Sequence, residues 1–144
     1  MNSSLRTLLA AVVALSAGFA SGAERAPLKG VTAVRAANYG VPSKLVKDRE
    51  EVGAIVQELN ELRNKPWRQG AAKMKCYSTV ILLAGEKQVA LFQVRPDVIV
   101  ERPVEKGESP YSLKPDDTDL LRLRKLLDEM PTSKQCEKPA SAPQ

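Results

Sequence analysis

The sequence predicts an α+β domain: an antiparallel sheet of four to six strands with two helices packed on one face. Three observations carry that reading. Two segments place apolar residues at helical spacing. The strand-like segments are short and follow one another across hairpin-length turns. The helices stand at the ends of the strand run rather than alternating with strands, which argues for an antiparallel sheet.

The fold begins after an N-terminal segment that stands apart. Arg6 precedes an almost wholly apolar run from Leu8 to Ala20, and Ser21, Gly22 and Ala23 follow. This is the pattern of a secretory signal peptide over 1–23. The run of 13 residues falls short of the roughly 20 that a spanning helix needs. Cleavage after Ala23 leaves small residues at the required positions, and cleavage after Ala20 competes. The mature chain has no further transmembrane segment, and its expected location is periplasmic or secreted.

Within the single domain expected over 24–131, Val31 to Ala36 alternates as a first strand, with a turn at Asn38-Tyr39-Gly40. Ser43 to Lys47 reads as its hairpin partner. Asp48 stands three residues before Glu51, a start like a capping box. Val52, Ile55, Val56, Leu59 and Leu62 then form one helical stripe that Pro66 ends. Glu61 and Lys65 are spaced as a helical ion pair, and Gly53 weakens the helix unless it permits close packing on a sheet. A meander follows: Met74 to Ala84, then Gln88 to Arg95, then Val98 to Arg102, where Pro103 suggests a sheet edge. Tyr111 to Leu113 is a short fourth strand. The last helix follows Pro115, with Asp116, Asp117 and Asp119 crowding its expected first turn. Leu120, Leu123, Leu127 and Met130 form its stripe. Residues 132–144, rich in Lys, Pro, Ala and Ser, read as a flexible tail.

The chain has two cysteines and no histidine. In an oxidising compartment, Cys76 and Cys136 are most simply one disulfide. Closing a loop of about 60 residues is worth roughly 4 kcal/mol in the chain-entropy model. A redox pair lacks its C-x-x-C, and two thiolates without His make an incomplete zinc set. The missing His also excludes Ser-His-Asp and Cys-His catalysis and a histidine pH switch. Neither G-x-G-x-x-G nor a Walker sequence occurs, so no cofactor is implied. Asp116 to Asp119 lacks calcium-loop spacing. No Ser-Lys pair sits in a nucleophile-elbow context.

The net charge is +5 over 144 residues. The surplus gathers in RNKPWRQGAAKMK, which holds the only Trp and no acid. Arg63, Lys65, Trp67, Arg68, Lys73 and Lys75 are the candidate partner-binding residues, because Trp and Arg anchor interfaces. The competing reading folds Trp67 under the core and leaves the charges in water. Nucleic acid is not an expected partner: the charge excess is small and aromatics do not line a basic strand.

The helix DREEVGAIVQELNEL, the strand pair CYSTVILLAGEKQVALFQV and Tyr111 before a final helix resemble small exported bacterial domains of uncharacterised function. The resemblance spans most of 44–130. It implies a helix-packed sheet and no catalytic residues. The functional expectation is therefore a non-enzymatic binding protein of the cell envelope, acting on a protein partner as an inhibitor or immunity protein. A small carboxylate-dependent hydrolase and a structural accessory of an envelope assembly are the alternatives.

Overall fold

The computed structural model of the chain describes residues 25–71 and 73–137. The expected signal peptide and the end of the expected tail, 138–144, lie outside them. The elements are β1 (Ala33–Ala37), β2 (Lys44–Val46), α1 (Arg49–Arg63), β3 (Arg68–Gln69), β4 (Ser78–Ala84), β5 (Lys87–Val94), β6 (Ile99–Arg102), β7 (Tyr111–Leu113) and α2 (Leu121–Asp128). A 3-10 turn at Lys134–Cys136 follows. The strands form one antiparallel sheet in the order β2-β1-β4-β5-β6-β7-β3. The α+β class is as expected, with seven strands among the described residues instead of four to six.

Strand alternation divides the residues between two faces. Register aligns Val34, Leu82 and Ala90 in one row and Ala36, Val80, Phe92, Glu101 and Tyr111 in the next. This face joins Val52, Ile55, Leu59 and Leu62 of α1 and Leu123, Leu126 and Leu127 of α2 in one core. Apolar side chains removed from water there contribute about 25 cal/mol per Å². Among the described residues, no helix lies on the opposite face of the sheet.

Both helices owe their starts to acids, but not to the acids the sequence suggested for α2. Asp48 caps α1 by accepting the Glu51 amide at 2.9 Å. Glu51 itself reaches Arg122 of α2. The expected capping of α2 by Asp116, Asp117 and Asp119 does not occur. Those residues form a preceding turn, in which Asp119 accepts the Asp116 amide at 2.7 Å. Leu120 follows in a left-handed conformation, φ 56°, and offers no side-chain cap. Glu58 of α1 supplies one instead, accepting the amides of Arg122 and Leu123 at 2.7 and 3.1 Å. A carboxylate from another helix does what local sequence could not announce.

The C-terminal end of α2 is also closed from afar. Asn38, 8% exposed at the end of β1, brings its amide nitrogen within hydrogen-bond reach of the carbonyls of Leu127, Met130 and Pro131. Ser78 donates to its oxygen at 2.6 Å. Pro131 and the residues after it therefore do not begin a loose tail. Residues 132–137 fold back, Ser133 lies against Gly40, and Cys136 is bonded to Cys76.

Four further expectations are corrected. Strand β4 starts at Ser78 instead of Met74, because Cys76 adopts φ 55° beside the disulfide and interrupts extended backbone. Pro103 ends β6 without marking an edge, since β6 lies between β5 and β7. Lys65 leaves Glu61 and bonds Asp116 and Asp119. Gly53 is exposed, and a methyl group there would meet nothing within 4 Å, so it does not serve close packing.

Two stability changes follow. Gly53→Ala should stabilise the domain by about 0.5–1 kcal/mol, because Ala loses less backbone freedom on entering a helix. Asn38→Ala should destabilise it by about 1–3 kcal/mol, the cost of leaving buried carbonyls unpaired. Chemical denaturation of the two variants should displace the midpoint in opposite directions.

Candidate partner interface

The six basic-segment residues separate in the folded chain. Trp67 is buried, Arg63 and Lys65 are half-buried, and Arg68, Lys73 and Lys75 are exposed. Pro66 ends α1 and reverses the chain, which lays the Trp67 ring over the end of the core at 8% exposure. Its indole nitrogen donates to the Leu62 carbonyl at 2.8 Å. This satisfies the buried indole N–H at a carbonyl of the last helical turn, which also accepts the Lys65 amide at 3.1 Å. The ring thus belongs to the core cluster.

Arg63 pairs with Glu101 and donates to the Ala26 carbonyl. Glu101 is a carboxylate on the helix-covered face of β6, only 7% exposed. A second cation meets it: Arg25 pairs with its other oxygen. The Arg25 guanidinium also lies 4.9 Å from the Trp67 ring centroid and 4.5 Å from that of Tyr111. Burial lowers the Arg25 pKa from its ordinary value, Glu101 opposes that, and Arg63 adds to it. Each cation–π contact of this kind is worth about 0.5–2 kcal/mol.

Lys65 bridges the turn before α2, 2.9 Å from Asp116 and 2.7 Å from Asp119. Hydrogen bonds to Asp119 and then Asp116 raise its pKa. Burial alone would raise the Asp119 pKa. The Lys65 hydrogen bond and the Asp116 amide outweigh it and hold the carboxyl below its ordinary value.

Arg68 goes elsewhere. Trp67 and Arg68 point to opposite sides, so burying the ring places Arg68 on the open face of the sheet. There β3 pairs with β7, Arg68 beside Ser112. One row on this face runs Leu45, Arg35, Ile81, Leu91, Arg102 across five strands. The adjoining row runs Ala37, Thr79, Gln93, Val100, Ser112, Arg68. The strand positions of the two rows hold three guanidinium groups, an aliphatic centre and no carboxylate. Arg35 and Arg68 are exposed, Leu45 is 42% exposed, Ile81 and Leu91 are half-buried, and Val100 in the second row is fully buried. Arg102 donates to Gln93 at 2.9 Å.

Sequence reasoning found Arg68 but missed Arg35 and Arg102. Neither stands in a basic run, and only the cross-strand register brings them together. Several carboxylates serve structure: Glu58 at α2, Glu51 with Arg122, Glu101 with two arginines, Asp97 with Arg95. The chain matches no protein-family model, no curated protein and no solved structure.

The ion pair at the α2 turn makes stability pH-dependent. A carboxyl held below its ordinary value contributes stability above the ordinary range and loses it as pH falls through the lowered value. Thermal melts should therefore show Asp119→Asn less stable than the native chain at neutral pH. The gap should close on acidification; a gap unchanged into strong acid would contradict this role.

Proposed function

We propose that the chain is an exported, non-enzymatic binding protein that docks an acidic protein of the cell envelope on its open sheet face, as an inhibitor or immunity protein would. The observation that carries this is the row of Ile81 and Leu91 between Arg35 and Arg102, with Arg68 at the far end of the adjoining row and no carboxylate among the two rows. An aliphatic centre flanked by arginine suits a folded partner with apolar and acidic side chains. A polyanion without apolar groups would use only the charges. The disulfide and the signal-like N-terminus support action outside the cytoplasm. No helix among the described residues is long and apolar enough to cross a membrane.

The test is site-directed photocrosslinking in cells. A photoreactive residue at Leu91 should yield one discrete adduct with an acidic protein. The same probe at Leu121, on the exposed side of α2, should not. Arg35→Glu with Arg68→Glu should reduce the Leu91 adduct at least about tenfold, because like charges then face each other. An adduct of equal yield from both positions, or one indifferent to the charge reversal, would refute the sheet face as the docking surface. Adducts with lipid or glycan alone would refute a protein partner.

A further inference from the structure

A second cluster of charged and aromatic side chains is built on the covered face of the sheet. It surrounds Arg25. Trp67 and Tyr111 present ring faces to one guanidinium, at 4.9 and 4.5 Å. Glu101, 7% exposed, supplies the opposing charge. Arg63 holds the other Glu101 oxygen and so fixes the carboxylate in place. An open groove of about 580 Å³ adjoins the cluster, lined among others by Arg63, Gln69, Glu101, Arg102, Glu108 and Tyr111. Flat aromatic faces and a buried carboxylate are what a planar, delocalised cation needs, and an ammonium uses such faces less well.

The present occupant is held only partly. Arg25 Nη1 is buried without a hydrogen-bond partner. Arg63 lies close enough to repel it. The described residues that follow it, up to Thr32, form no helix or strand. Its firm anchor comes later, at Leu28, whose amide donates to Asn60 Oδ1 at 2.8 Å and whose carbonyl accepts from Asn60 Nδ2. Upstream of Leu28, the contacts of Arg25 and the Arg63 hydrogen bond to the Ala26 carbonyl hold the described residues. The arm before Leu28 therefore carries its own arginine into a site shaped for one.

We propose that Trp67, Tyr111 and Glu101 form a guanidinium-binding site that Arg25 fills in cis, and that an arginine side chain of another protein enters when the arm withdraws. The occupant is identified by its chemistry, a guanidinium without an attached carboxylate. Free arginine would add both an ammonium, beside Arg63 and Arg102, and a carboxylate, beside Glu101 and Glu108.

Trp67 is the only tryptophan in the chain, so its fluorescence reports the site directly. In Arg25→Ala, N-acetyl-argininamide should give a saturable emission change that returns the spectrum toward that of the native chain. N-acetyl-lysinamide should bind at least about fivefold more weakly, because an ammonium lacks the planar fork that stacks on a ring. Free arginine should also bind more weakly than the blocked form; tighter binding by free arginine would assign the site to a metabolite and overturn the proposal of a protein side chain. Adding Tyr111→Ala to the Arg25→Ala chain should abolish the response. Arg25→Gln, which keeps most of the stem, should respond in the same order. Absence of a saturable change in variants whose circular dichroism is native would overturn the proposal. So would collapse of both Arg25 variants, since Arg25 would then be a fixed part of the fold and not an exchangeable occupant.

Discussion

A four-stranded meander, β4 to β7, has two bare edges and one apolar face, and everything before it in the described chain exists to cover them. Strand β1 pairs with the β4 edge and β3 with the β7 edge. Helix α1 lies between β1 and β3 in sequence, so it must cross the apolar face to connect them. Its 15 residues span about 22 Å at the usual rise per residue. That length, with its flanking loops, suits a sheet whose strands stand about 4.8 Å apart. Unpaired backbone edges invite association with other chains. Here a single excursion of the chain covers both edges of the meander and the face.

Helix α2 depends on that excursion. An eight-residue helix is marginal on its own, because nucleation costs more than so few hydrogen bonds return. It persists because α1 delivers Glu58 to its N-terminus and β1 delivers Asn38 to the carbonyls at its other end. The same arrangement frees Asp116 and Asp119 to receive Lys65. Polar side chains that look exchangeable in the sequence are thus assigned to particular partners by the crossing of α1 over the sheet.

This division separates what the sequence made legible from what it did not. Periodicity exposed α1, with Val52, Ile55, Leu59 and Leu62 buried as spaced. It also exposed β4, β5 and β6, and the cysteine pairing followed from compartment and count. Features set by distant partners were hidden. The acids before Leu120 look like a helix start, yet the helix is capped from residue 58. Arg68–Gln69 has no strand pattern, and only the β7 backbone makes it one. The basic segment looked like one patch, but Trp67 and Arg63 carry an apolar ring and a buried-carboxylate partner, respectively. Alternation then sends Arg68 to the side where Arg35 and Arg102 wait. Charge density along the chain and charge density on the surface are different quantities whenever a strand runs through the basic run.

The bond between Cys76 and Cys136 spans 60 residues and encloses β4 to β7 and α2, while β1, β2, α1 and β3 stand outside it. Denatured but still oxidised, the protein is a lasso: a closed ring trailing a free arm. The ring keeps the meander strands near one another, so their search for partners is short. The arm retains its full freedom and must find both sides of the ring in one pass, β1 on one margin and β3 on the other. Recovery of the native state is then a threading problem set by the arm's reach, not a question of whether the ring's strands can meet.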